Sequence, residues 1–141
     1  MDKKLMVGFI AVFIGMVLTD FLIHGLILSG AYHSADMANL MRPDADAKVW
    51  IHIVTAFIKS FFFVLIFSKG YRGTGMAEGV RYGFYMGMIF TMGMAYDTYA
   101  AFQIHYSLAL HWFFLGVIQW ILLGILASMV YGKSAGTPGG T

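Results

Sequence analysis

The chain has 141 residues, no cysteine and a formal net charge of +2, with 60% hydrophobic and only 11% charged residues, against roughly 25% charged in an average soluble domain. Together with a mean hydropathy of +0.76, this excludes an ordinary water-soluble fold and makes the lipid bilayer the first partner to expect. The missing cysteines exclude disulfide frameworks, thiolate metal sites and thiol nucleophiles, and the few scattered basic residues exclude a nucleic-acid partner.

A bilayer core of about 30 Å needs roughly 20 apolar residues per helix. Four stretches qualify, at about 5–29, 49–68, 80–103 and 108–131. They predict an all-α fold, a four-transmembrane-helix bundle occupying 1–133 as one domain, with a flexible tail over 134–141. Lys3 and Lys4 ahead of the first run also resemble a signal peptide. That run is too long for a signal core and carries Asp20 and His24, so it reads as a true span. Lys3, Lys4, Lys69, Arg72, Arg81 and Lys133 gather on one side, while Arg42 and Lys48 are offset by Asp36, Asp44 and Asp46 on the other. The excess places both termini and the second loop in the cytoplasm. Within the first loop, Arg42-Pro43-Asp44 predicts a short interfacial helix leading into the second span.

The two hairpins share a weak pattern, which fits either a duplication or the commoner case of helical hairpins that carry His and Trp at their outer ends. The first helix of each carries an acid followed by a histidine (Asp20 and His24, Asp97 and His105). The second opens with a tryptophan and histidine pair (Trp50 and His52, His111 and Trp112) and holds a long polar residue further in, Lys59 or Gln119. Close helix packing in lipid depends on small residues that let backbones approach. Gly79, Gly83 and Gly87 place such a stripe on the third helix, with Gly116 and Gly124 on the fourth, for packing within the bundle or for a homo-oligomer. Runs such as Phe61-Phe62-Phe63 point around their helix, so part of each faces lipid or another subunit.

Ionisable side chains inside a span are costly and mark candidate functional sites. At about 1.5 Å per residue, Asp20 and Lys59 lie on the order of 15 Å deep, and His24 and Asp97 on the order of 9 Å. With Gln119 they form an intramembrane polar layer. Asp20 and His24, four apart, share a helix face. Three roles can use this layer: an Asp20 to Lys59 ion pair holding the hairpins together, a proton or ion relay through the carboxylates and His24, or a redox site. For the last, His52 and His111 share a depth and are the candidate haem or metal ligands, although their spacing is not diagnostic and a solvated histidine at a helix end is the commoner case. The glycine-rich 70–75 segment lacks the Lys-Ser/Thr of a phosphate loop, and Ser107 and Ser128 lack histidine and acid neighbours at motif spacing. Neither catalysis nor a resident metal is therefore expected.

The segments Asp20-Phe21-Leu22-Ile23-His24-Gly25, Met41-Arg42-Pro43, Lys69-Gly70-Tyr71-Arg72-Gly73 and Glu78-Gly79-Val80-Arg81-Tyr82-Gly83 resemble a group of small uncharacterised bacterial four-span integral membrane proteins. The resemblance implies a bacterial inner-membrane location and the four-helix architecture, and brings no activity with it. The expected function is that of a non-catalytic accessory or scaffold subunit contacting other membrane chains. A small proton- or ion-coupled transporter is the alternative, and a haem- or quinone-associated redox subunit the third reading.

Overall fold

The computed structural model describes residues 2–132. Lys133 and the tail expected over 134–141 lie outside the described residues. Within them all regular structure is helical. Helix α1 (Lys3–Asp20) starts at Asp2, whose carboxylate accepts from the Lys4 N–H at 3.4 Å. A π turn over Phe21–Ile27 follows, then the short α2 (Ser29–Tyr32). After Pro43, the expected interfacial helix is a single 3-10 turn, Asp44–Asp46. Helix α3 (Val49–Gly70) leads to a turn in which Gly73 and Gly75 take φ of 81° and 83°, a left-handed conformation that side chains disfavour. Helix α4 (Met76–Met92) passes into a second π turn at Gly93–Asp97 and the short α5 (Thr98–Ala101), and α6 (Tyr106–Gly132) closes the fold.

Three helical segments, Lys3–Ile27, Val49–Gly70 and Tyr106–Gly132, are long and apolar enough to cross a membrane. The third expected span is absent from that set for a compositional reason. The 17 residues of α4 include Gly79, Gly83 and Gly87 beside Glu78 and Arg81, which trade apolar side chains for close packing.

That packing is the tightest in the molecule. Helix α4 runs antiparallel to α6 with backbone against backbone. A Cβ on Gly79 would strike the Gly124 carbonyl, one on Gly83 the Trp120 carbonyl, and one on Gly87 would come within 3.1 Å of Val117 Cα. Gly116 receives the Thr91 side chain. All five glycines of the expected packing stripes thus lie on one intramolecular seam.

Helix α1 lies between α3 and α6. Its Phe9 and Phe13 meet Phe57 of α3 edge to face, and Met16 receives the buried Ser60 hydroxyl at 3.6 Å. Helix α3 reaches α4 through Tyr82, whose hydroxyl donates to the Phe63 carbonyl at 2.7 Å. One core cluster, with Val12, Phe63, Phe67, Trp120 and Leu123, unites these helices. A second, with Ile23, Leu28, Met37, Ile104 and Leu108, contains no residue of α3. The two ends of the bundle therefore differ. At the end holding Asp2 and Gly132 all four long helices close together, and at the end holding the histidines α3 stands apart.

Candidate functional site

The polar layer is built at the junction of α1 with its π turn. Gln119 of α6 is buried, 8% exposed, and its amide N–H groups donate to Asp20 Oδ1 at 2.7 Å and Thr19 Oγ1 at 2.8 Å. Thr19 in turn donates to the Gly15 carbonyl at 2.8 Å. One amide, one hydroxyl and one carboxylate so satisfy one another where α1 and α6 cross. A buried amide without such acceptors would lose the desolvation cost of its own N–H groups.

One turn further along, His24 Nδ1 lies 2.6 Å from the Tyr32 hydroxyl, which also accepts from the Trp112 indole N–H at 2.6 Å. The indole can only donate, so the phenol proton is free to point at a neutral His24. Burial pushes the Tyr32 phenol up to about 12, against the pull of the Trp112 N–H, and Tyr32 is therefore a neutral hydroxyl at physiological pH. The imidazole and phenol rings stack with centroids 6.0 Å apart. The π turn positions this group: its wider coil starts directly after Asp20 and carries His24, and its bond from the Leu28 N–H to the Ile23 carbonyl spans five residues. Such turns occur frequently at functional sites. The second π turn ends at Asp97, so each of the two intramembrane acids expected from the sequence abuts one.

Of the expected layer, Asp20 and Gln119 are brought into contact, while His24, one turn further along, pairs with Tyr32 instead. The expected Asp20 to Lys59 ion pair is not formed. Asp20 lies on the side of α1 that meets α6 and takes its hydrogen bond there. Lys59 is exposed on α3, and the two ion pairs among the described residues, His33 with Asp44 and His105 with Asp36, involve neither. Asp97 is exposed, its carboxylate folded back over Gly93. The candidate haem pair is not assembled either. His52 is exposed on α3, while His111 Nδ1 is held by the carbonyl of Ser107 on its own helix at 2.6 Å. Among the described residues no group of three or more His, Asp or Glu is placed to hold a metal ion.

Sequence reasoning missed Thr19, Tyr32 and Glu78. Thr19 is signalled only by its place next to Asp20. Tyr32 lies eight residues beyond His24, past the expected end of the span, and its meeting with Trp112 across 80 residues has no local signal. Glu78 had one, because it stands three residues after Gly75 at the start of α4, where an acid commonly reaches back to free N–H groups. It accepts from the Arg72 N–H at 2.6 Å, the Thr74 N–H at 3.1 Å and the Thr74 hydroxyl at 3.0 Å. Burial works against its charge, but these donors and the Arg81 guanidinium outweigh it and hold Glu78 below the ordinary carboxylate range.

No protein family, curated protein sequence or solved structure matches the chain.

Proposed function

We propose that this chain is a non-catalytic integral membrane protein of the bacterial inner membrane, acting as an accessory or scaffold subunit of a larger membrane assembly. In this reading it spans the bilayer four times with both termini cytoplasmic. The three apolar helices support the lipid contact, and the packing of α4 along α6 supports counting the 80–103 stretch as the remaining crossing, with Glu78 ahead of it. The basic residues of the 69–81 region and the N-terminus support the orientation.

The observation that carries the subunit reading is the face of α3 turned away from the bundle. His52, Thr55, Lys59, Phe62, Ile66 and Lys69 recur at alternating intervals of three and four, the spacing of a helix-packing seam, and all six are exposed. A seam of this kind with a charge at its centre is costly against lipid and is relieved by another membrane chain. The absence of cysteine makes the test simple. In native membranes a thiol introduced by Phe62→Cys on this seam is expected to react with a lipid-soluble maleimide at least tenfold more slowly than one introduced by Phe114→Cys, on the exposed side of α6. Equal reaction rates overturn the reading.

A proton-relay function is the second reading, favoured by the run from Asp20 through His24 to Tyr32. Under it, Tyr32→Phe abolishes proton flux into vesicles containing the purified protein, and a wild-type protein without flux removes it.

A further inference from the structure

We infer that the seam on α3 docks a second copy of this chain, through reciprocal contacts of Lys59 in each copy with Asp97 in the other. The inference rests on α3 being a docking face and names its occupant. Lys59 and Asp97 are the two charges of the polar layer that are left exposed, and they have opposite sign. They stand on α3 and on the continuation of α4, the two neighbouring helices that Tyr82 joins, so the side of the bundle these helices share has both halves of a complementary pair available. That is the condition for a self-complementary two-fold interface, in which one contact is made twice.

The levels match once side-chain direction is included. Lys59 is ten residues from the start of α3 and Asp97 four residues from the end of α5, which separates their Cα atoms by about 9 Å along the bundle at 1.5 Å per residue. Helical side chains lean toward the N-terminus of their own helix. In α3 this carries the lysine stem toward the histidine end. In the oppositely directed α4 it carries the Asp97 carboxylate away from that end, as its position over Gly93 records. The two charges lean toward each other, and a lysine stem covers most of the gap.

The apolar surroundings agree. On α4, Tyr85, Ile89 and Met92 form an exposed line that leads toward Asp97, five residues beyond Met92, and Ile89 is 69% exposed. Opposite them the seam on α3 offers Phe62 and Ile66, 53% and 49% exposed. In lipid, association depends on such packing together with polar pairs removed from the hydrocarbon.

Charge exchange tests the proposal in whole chains carrying two different tags and reconstituted in vesicles. Wild-type copies are expected to co-purify and to show energy transfer between labels. Lys59→Asp alone sets acid against acid, Asp97→Lys alone sets lysine against lysine, and each is expected to weaken self-association at least tenfold. Mixed together, the two variants form one Asp–Lys contact at each of the two positions, and association returns to near the wild-type level. Recovery in the mixture also demonstrates that both variants fold. If either single variant fails to accumulate, Lys59→Cys in one tagged copy and Asp97→Cys in the other provide the second measurement, with a cross-link between copies expected from a flexible bis-maleimide that bridges a Cα separation beyond disulfide reach. Undiminished association of the single variants, no recovery in the mixture, or a cross-link that forms only within a chain carrying both cysteines overturns the proposal. If wild-type copies do not associate while the Phe62→Cys thiol is protected in native membranes, the seam has a different occupant and the subunit reading stands. If that thiol is open as well, both fall.

Discussion

Along the α4–α6 seam glycine backbones touch carbonyls of the facing helix, while α3, from Val49 to Thr55, is exposed on every side. The two strongly apolar helices α3 and α6 behave differently, and the less apolar α4 packs best, so hydrophobicity does not explain the contrast. Backbone proximity does. In lipid an apolar side chain gains little by leaving one hydrocarbon neighbour for another, and helices associate where small residues allow many short contacts. The residues of α3 are as apolar as those of α6 but bulky, and they lack a glycine track between Val49 and Ser68. The sticky surface within this chain is therefore its glycine-rich helix, and the surface left for others is its aromatic one.

The sharpest way to break the contrast is to make one change of similar volume on each side. Gly83→Ala places a methyl group against the Trp120 carbonyl and 2.7 Å from Ile121 Cα, where only backbone movement can make room. The expected cost is about 3 kcal/mol, at the upper end of overpacking penalties. Phe62→Leu, a comparable change in volume on the open side of α3, is expected to stay within about 0.5 kcal/mol for the isolated protein. Unfolding in mixed micelles, followed by far-UV circular dichroism, measures both. Comparable losses would mean that α3 is held as firmly as α4.

A second test concerns the polar layer, where α1 and α6 are tied together and Lys59 is not. Gln119→Leu removes the donor to both Thr19 and Asp20 and is expected to cost about 2 kcal/mol, within the range for a buried group left unpaired. In a double-mutant cycle with Asp20→Asn the losses are expected to be less than additive, because the first change already removes the shared bond. Lys59→Gln is expected to leave the unfolding of the isolated chain unchanged. A large Lys59 effect that couples to Asp20 would restore the ion pair expected from the sequence.

These cases mark what was legible in the sequence. Apolar length revealed the three strongly apolar helices, and the spacing of Gly79, Gly83 and Gly87 revealed a packing face, because both signals are local and repeat along one helix. The candidate polar residues were legible for the same reason: each charge is conspicuous in its own apolar run. Its pairings were not. Depth along a helix can be counted, but the direction in which Asp20 points depends on where α1 sits between α3 and α6, and on a π turn that no spacing announces. Asp20 and Lys59 match in depth and still do not meet. Tyr32 was hidden because its role comes from a neighbour, Trp112, that only the folded bundle supplies.

A smaller loss than those at Gly83 and Gln119 is expected at the closed end, where Tyr82 joins α4 to α3 and Glu78 secures the turn between them. The carboxylate of Glu78 accepts two backbone N–H groups and a hydroxyl, so Glu78→Gln retains the shape but loses the charge that strengthens these bonds. About 1 kcal/mol is expected to be lost. The pH dependence follows from the direction of the shift. Because the folded protein holds Glu78 below the ordinary carboxylate range, its contribution is complete above the pKa of an unfolded glutamate and disappears as pH falls through the lower folded value. The difference in stability between wild type and Glu78→Gln should accordingly be constant near neutrality and narrow on acidification. Equal stability of the two proteins at neutral pH would show that the carboxylate acts through its shape alone. In that case the closed end would be held by Tyr82 and the aromatic cluster around Phe63 and Phe67, and the turn would simply follow them.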